Sequence, residues 1–247
     1  MNEINNPDKF NENSQKLFKK FFKEGDLVFD VGANEGKYTR SLLKIGAKVI
    51  AFEPQNSCLI TLNRIFQYHP MFTLEPIALG AQKGQQTMHV CSGASTISSL
   101  STKWIDAVSH SGRFNHYRWP GKQIVEVDTL DNMIKKYGIP KFMKIDVEGF
   151  EYEVLQGLSV PVPALSMEFT PEVMDGSINC IKHLSAIGDY EFNLSRGVTM
   201  EFDYPEWLSN SEMIDKLVVF QKDRSLWGEV RNGLLWGDVY CRMQKKM

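Results

Sequence analysis

Apolar and polar positions alternate in blocks along the first third of the chain. LVFDVG (27–32) is an apolar, β-branched run and predicts a strand. KYTRSLLKIG (37–46) has apolar residues at helical spacing and a terminal glycine suited to a helix C-cap. KVIAFEP (48–54) predicts a second strand stopped by proline, residues 55–68 a helix, and FTLEPIALG (72–80) a third strand. Strands this apolar are covered on both faces, so the repeat predicts an α/β fold with a parallel sheet and helices on each side. Ahead of it, KFNENSQKLFKKFFKE (9–24) predicts a helix. Leu17, Phe18, Phe21 and Phe22 form one stripe, and Lys16, Lys19, Lys20 and Lys23 another. Such a helix suits a membrane surface or, the preferred reading, packing on the domain with a solvated lysine face.

Further along, QQTMHV (85–90), VEVDTL (125–130), FMKIDVEG (142–149), ALSMEF (164–169), EFNLS (191–195) and DVYCRM (238–243) predict strands. DNMIKKYG (131–138), FEYEVLQGL (150–158) and IKHLSAIG (181–188) predict helices. Residues 91–122 are polar and aromatic without a period. A stretch that long is either functional or carries short elements of its own. The echo of LWGEV (226–230) in LWGDV (235–239) is too short to be a repeat. The expected organisation is one domain over residues 1–247, with an N-terminal helix and a substrate-loop insertion near 91–122.

Composition narrows the class. The 247 residues are 43% hydrophobic and 23% charged, enough to bury a large core. A net charge of -2 offers no general field for nucleic acid or an anionic membrane. Cys58, Cys91, Cys180 and Cys241 form no C-x-x-C pair, which suits a reducing compartment. The start, MNEINNPDKF, is polar, and no apolar run approaches the ~20 residues that cross a bilayer. These features predict a cytoplasmic protein.

Candidate chemistry begins at FDVGANEGKYT (29–39), where a strand end meets a helix start. Glycine lets a ligand approach bare backbone, and Asn34 tolerates a left-handed conformation. Free N–H groups at the helix start are donors for a ligand. Glu53 ends the next strand, 21 residues after Gly32, where an acid can accept both hydroxyls of a ribose. Turn and acid together predict an adenosine-bearing ligand. A dinucleotide fingerprint is incomplete here: Asn34 stands at the second glycine and Gly36 comes one residue early. Asp30 would repel a pyrophosphate but suits a cationic amino-acid end, which points from NAD to S-adenosylmethionine.

FDVGANEGKYT, VIAFEP, PIALG, VDTLD and KIDVEGFEYEVLQG, in that order over about residues 26–170, resemble the FkbM-type methyltransferase family. The resemblance implies a Rossmann-like class I methyltransferase sheet of seven strands, mostly parallel, with an antiparallel last strand. By resemblance Asp30, Gly32, Asn34, Gly36 and Thr39 would hold the methionine end of S-adenosylmethionine. Glu53 would hold the ribose, and Ala78 and Leu79 the adenine. The family mostly methylates hydroxyls of sugars or natural products, so a small-molecule or carbohydrate acceptor is expected.

The remaining candidates are acids and a base. KIDVEG puts Asp146 and Glu148 at a strand's carboxyl end, where they could bind the cofactor ammonium, hold a metal or take a proton. Glu148 could instead only cap the helix near Phe150. Glu168 in SMEFTPE is a third acid expected in the cleft. The acids could bind a divalent metal such as magnesium, the less favoured option, or hydrogen-bond a sugar. A histidine is the usual base, and His116, with His110 in the same segment, is the candidate. Tyr117 and Trp119 could stack on a sugar and Arg113 and Arg118 bind a carboxylate or phosphate, or the segment is a surface loop anchored by its aromatics. Thr129 and Asp131 suit helix capping. Two rivals stand beside the methyltransferase reading: an NAD(P)-dependent oxidoreductase and a non-catalytic binding module. A base methylase would carry N/D-P-P-Y/F where this chain has IDVEG.

Overall fold

The computed structural model describes residues 7–223, 225 and 235–244. The polar first six residues and the LWGEV half of the echo lie outside them. Helix α1 (Pro7–Phe18) is shorter than the predicted 9–24. It ends where Phe21 turns inward to stack on Phe142 and Tyr240, at ring-centroid distances of 5.0 and 5.7 Å. Leu17, Phe18 and Phe22 are buried beside the partly buried Phe21, so the apolar stripe is used inside the fold while the lysines face out. Next come β1 (Leu27–Val31), α2 (Lys37–Ile45), β2 (Lys48–Phe52), α3 (Asn56–Phe66) and β3 (Phe72–Glu75). Gly46 closes α2 as a left-handed C-cap.

FTLEPIALG is not one strand. Pro76 has no N–H to donate and restricts the residue before it. The segment therefore breaks, and β4 (Ala78–Leu79) pairs elsewhere. A second sheet in the order β4-β6-β5 is formed with β5 (Gly84–Val90) and β6 (Gly121–Asp128). Between those two strands lies α4 (Thr102–Ser111), preceded by a 3-10 turn at Ser95–Ile97. The 91–122 segment thus has its own small core, with Cys91, Ile97, Trp104 and Val108 packed against Phe114 and Trp119.

The chain continues through α5 (Leu130–Tyr137), β7 (Phe142–Ile145), α6 (Glu151–Gln156), β8 (Ala164–Phe169), α7 (Met174–Ile187), β9 (Tyr190–Arg196), α8 (Asn210–Lys222) and β10 (Gly237–Met243). Thr129 caps α5 by accepting from the Asn132 N–H, as its position predicts. Asp131 instead accepts from the Ser159 N–H. Helix α7 starts before the predicted 181, and α8 is an element the hydrophobic pattern did not reveal.

The main sheet has seven strands in the order β3-β2-β1-β7-β8-β10-β9. Its final strand in sequence, β10, runs antiparallel between β8 and β9, and the other neighbours pair in parallel. Alternate residues feed two cores. Phe29, Val31, Met143, Ile145, Leu165 and Met167 face α5, α6 and α7. Val28, Val49, Phe142 and Tyr240 face α1 and α2. Strand order reverses between β1 and β7, and the carboxyl ends of these two strands open the crevice where ligands bind in such sheets. No helix among the described residues is long and apolar enough to cross a membrane.

Candidate active site

At the end of β1 the chain passes through Gly32 at φ 81° and Asn34 at φ 47°, both left-handed. A Cβ on Gly32 would lie 1.9 Å from the Asp146 carbonyl oxygen, so only glycine lets the loops after β1 and β7 touch. Glu53 ends β2 beside this turn and is 4% exposed. Its Oε2 accepts from the Asn34 N–H and its Oε1 from the Gln55 N–H, each at 2.7 Å. Burial raises its pKa to about 7, against the lowering effect of those two bonds. Gly32, Asn34, Glu53, Ala78, Leu79 and Asp146 all line one cavity of about 440 Å³.

Asp30, Gly36 and Thr39 stand behind the wall of that cavity rather than on it. The reason is the two-residue period of a strand. Asp30 shares the Val28 face and points under α2, where it accepts from the Thr39 hydroxyl. Burial lifts it to about 6, although Thr39 and Lys144 pull it down. A Cβ on Gly36 would meet the Phe66 ring at 2.5 Å, so this glycine lets α2 approach α3. Asp30 is paired across the sheet with Lys144, and Lys144 with Ser166, which makes a buried polar row. Lys144 Nζ donates to Asp146 Oδ2 and Asp238 Oδ1, at 2.9 Å each. Burial disfavours its charge, but those two carboxylates outweigh that and hold its pKa well above the usual lysine value.

At the other end of the cavity are Asp146, Glu148 and Glu168. One carboxylate oxygen from each lies within 4.8 Å of the others. Glu148 sits at φ 54° and does not cap α6. Its carbonyl accepts from the Ser99 hydroxyl at 2.7 Å, and Glu151 closes the turn by accepting from the Val147 and Gly149 N–H groups. Glu168 is 8% exposed. Burial and then neighbouring acids push Glu148 and Glu168 well above the carboxylate range. Protonated, such groups donate hydrogen bonds, and next to a cation they would ionise.

His116 is exposed beyond α4, and neither it nor His110 lines the cavity. Arg113 does line it but is engaged: it bonds Glu172 Oε1 and the Leu235 carbonyl at 2.7 Å each. Arg118 bonds the Asn115 and Tyr117 carbonyls, and Trp119 donates to the Ile97 carbonyl. The pattern missed Trp104, Phe114 and Trp236 as cavity residues. Trp104 is fully buried and donates to the Thr170 hydroxyl at 3.2 Å. It had one readable signal, its place three residues after the helix-capping Ser101. Lys144 had another, since a lysine inside an apolar strand needs buried partners.

A precorrin-6Y C5,15-methyltransferase from Geobacter metallireducens has a similar chain path, with 8% identity and a TM-score of 0.47 over 94% of this chain and 87% of that one. An rRNA methylase from Streptococcus thermophilus gives 10% and 0.44 over 94% and 95%. A protein from Streptococcus mutans, described as a methyltransferase and solved with SAH, gives 11% and 0.45 over 94% and 97%. At these scores the likenesses bear on neither substrate nor mechanism. No curated protein matches the chain. The family model of the methyltransferase FkbM domain matches residues 30–178, more than half of the length. The chain therefore belongs to the FkbM methyltransferase family.

Proposed function

We propose that the chain transfers a methyl group from S-adenosylmethionine to a hydroxyl of a small acceptor, a sugar, glycan precursor or natural product. The observation that carries this reading is Glu53, fixed by two backbone N–H groups beside the bare Gly32 turn. A carboxylate so held can accept from the two ribose hydroxyls without rearranging. Ala78 and Leu79 give an apolar wall for the adenine, and Asp146 faces the cationic methionine end. Trp104, Phe114 and Trp236 then bound the acceptor. In the transfer the sulfonium–methyl bond breaks, a carbon–oxygen bond forms, and the hydroxyl proton must leave. No histidine among the described residues lines the cavity, so the proton goes to a carboxylate or to water.

The cavity volume suits one small ligand pair rather than a polymer. The acidic acceptor end also disfavours a nucleic-acid backbone, and no membrane partner is part of this reading. All four cysteines are free and buried, which supports a cytoplasmic setting. The test is thermal stability with S-adenosylhomocysteine and with NAD, followed by methyl transfer to a hydroxyl-bearing panel. A ligand that binds only the native state raises the midpoint. A rise with S-adenosylhomocysteine is expected. A rise with NAD alone would replace this reading by the oxidoreductase, and no rise with either would favour a binding module.

A further inference from the structure

We propose that Asp146, Glu148 and Glu168 seat one hard divalent cation, of the magnesium class, where the acceptor hydroxyl would lie. The inference rests on the methyl-transfer reading above. Three oxygens from two strand ends converge within 4.8 Å, a span that a single ion can bridge. Convergence of acids is not enough by itself, and Glu168 supplies the second observation. It is 8% exposed, it makes no hydrogen bond or ion pair among the described residues, and its carboxyl faces the other two. A side chain this largely buried, opening only on the cavity and bonded to nothing there, is placed to take a ligand from it.

Among the described residues, neither Lys144 nor Arg113 bonds Glu168. Lys144 is shared between Asp146 and Asp238, and Arg113 is held by Glu172 and the Leu235 carbonyl. The Lys144 bond uses Oδ2 of Asp146 and leaves its other oxygen for a ligand. An all-oxygen set suits magnesium, manganese or calcium and not a thiolate-seeking metal. The chemistry has a use for it. A bound dication lowers the pKa of a coordinated hydroxyl, which serves a cavity that has no histidine base. The released proton passes to water or to a carboxylate at the rim, and the alkoxide attacks the sulfonium methyl.

The test is a manganese titration of the full chain, with the free ion followed by electron paramagnetic resonance. It is run with and without S-adenosylhomocysteine. About one ion per chain is expected, weakened at least about tenfold by Glu168→Gln and by Glu148→Gln. Both variants should keep wild-type melting temperatures or rise above them, since each removes a group that burial disfavours as an anion. S-adenosylhomocysteine affinity, read separately, tests the methyltransferase reading. If that ligand fails, the titration without it still reads the carboxylates. Absence of a manganese site, or a site indifferent to both variants, overturns the proposal. So does an amine-bearing sugar that binds in the presence of EDTA and loses its grip in Glu168→Gln, because the seat would then belong to an ammonium.

Discussion

At one end of the cavity Glu53 has both carboxylate oxygens bound by backbone N–H groups. At the other end the carboxylates of Glu148 and Glu168 accept no hydrogen bond among the described residues, although all three groups are pushed upward in pKa by burial. The same residue type is therefore used in two ways. At the nucleoside end the protein supplies the stabilising donors before any ligand arrives, so binding needs little reorganisation. At the carboxylate end burial and then the neighbouring acids raise the groups, with Lys144 pulling the other way, and a cation arriving there would favour their ionised forms. One end is a preformed socket and the other is incomplete.

The largest expected break in this contrast is Lys144→Met. Lys144 is fully buried and holds the acceptor end to the sheet through Asp146 and Asp238. Its loss leaves two carboxylates unpaired and should cost about 3–5 kcal/mol, read by urea unfolding. A loss below about 1 kcal/mol would mean that water or a shifted side chain already serves those acids. Next in size is Gly32→Ala. The left-handed backbone alone costs about 1–2 kcal/mol, and the clash with the Asp146 carbonyl adds to it. S-adenosylhomocysteine binding should collapse with stability, because the substitution pushes apart the loops after β1 and β7 where their backbones touch.

Glu53→Gln sharpens the socket end. It replaces one acceptor oxygen by a donor that faces a backbone N–H, so S-adenosylhomocysteine affinity should fall about 10- to 100-fold by calorimetry. The pH dependence has a definite sign. Glu53 titrates near 7 in the folded chain against 4.5 for the free group, so its ionisation opposes folding. That penalty is absent below about pH 4.5, grows as pH rises, and is complete above about pH 7 at roughly 3 kcal/mol. The ligand-free variant should therefore lose less stability than wild type across that window. Wild-type affinity should rise through pH 7, since ribose hydroxyls donate best to the ionised form. A flat wild-type profile would place the ribose elsewhere.

Which parts were legible follows from how local each signal is. The strand–helix alternation from Leu27 to Phe66 rests on apolar spacing and is fully readable, as is the Gly32 turn with Glu53. The break at Pro76 was readable too, but the apolar run on both sides masked it. Helix α8 carries a complete capping box at Ser209 and Glu212, yet its exposed, weakly amphipathic face gave the pattern little to register. That Asp30 stands off the cavity wall was not legible, because motif logic ignores strand alternation: the residue that ends a strand motif need not face the crevice. The acceptor end was half legible. Three acids at strand ends were visible, while Lys144 beneath them depends on pairing between β7 and β10 across β8, which no local window contains.

His116→Ala should have the smallest effect and carries the most information per unit of change. A histidine in an irregular polar segment beside aromatic residues reads as a base. In the fold that segment has its own core, and its buried Trp104 and partly buried Phe114 reach the cavity while His116 stays outside. The variant should keep kcat within about twofold and keep the same pH profile, because a general base contributes about 10²–10⁴ and an exposed ring away from the cavity contributes none of it. A hundredfold loss of kcat with unchanged S-adenosylhomocysteine affinity would require the segment after α4 to fold over the acceptor during turnover. The incomplete end would then be completed by a side chain of the protein itself, and manganese binding to the carboxylates would be the measurement to repeat in that variant.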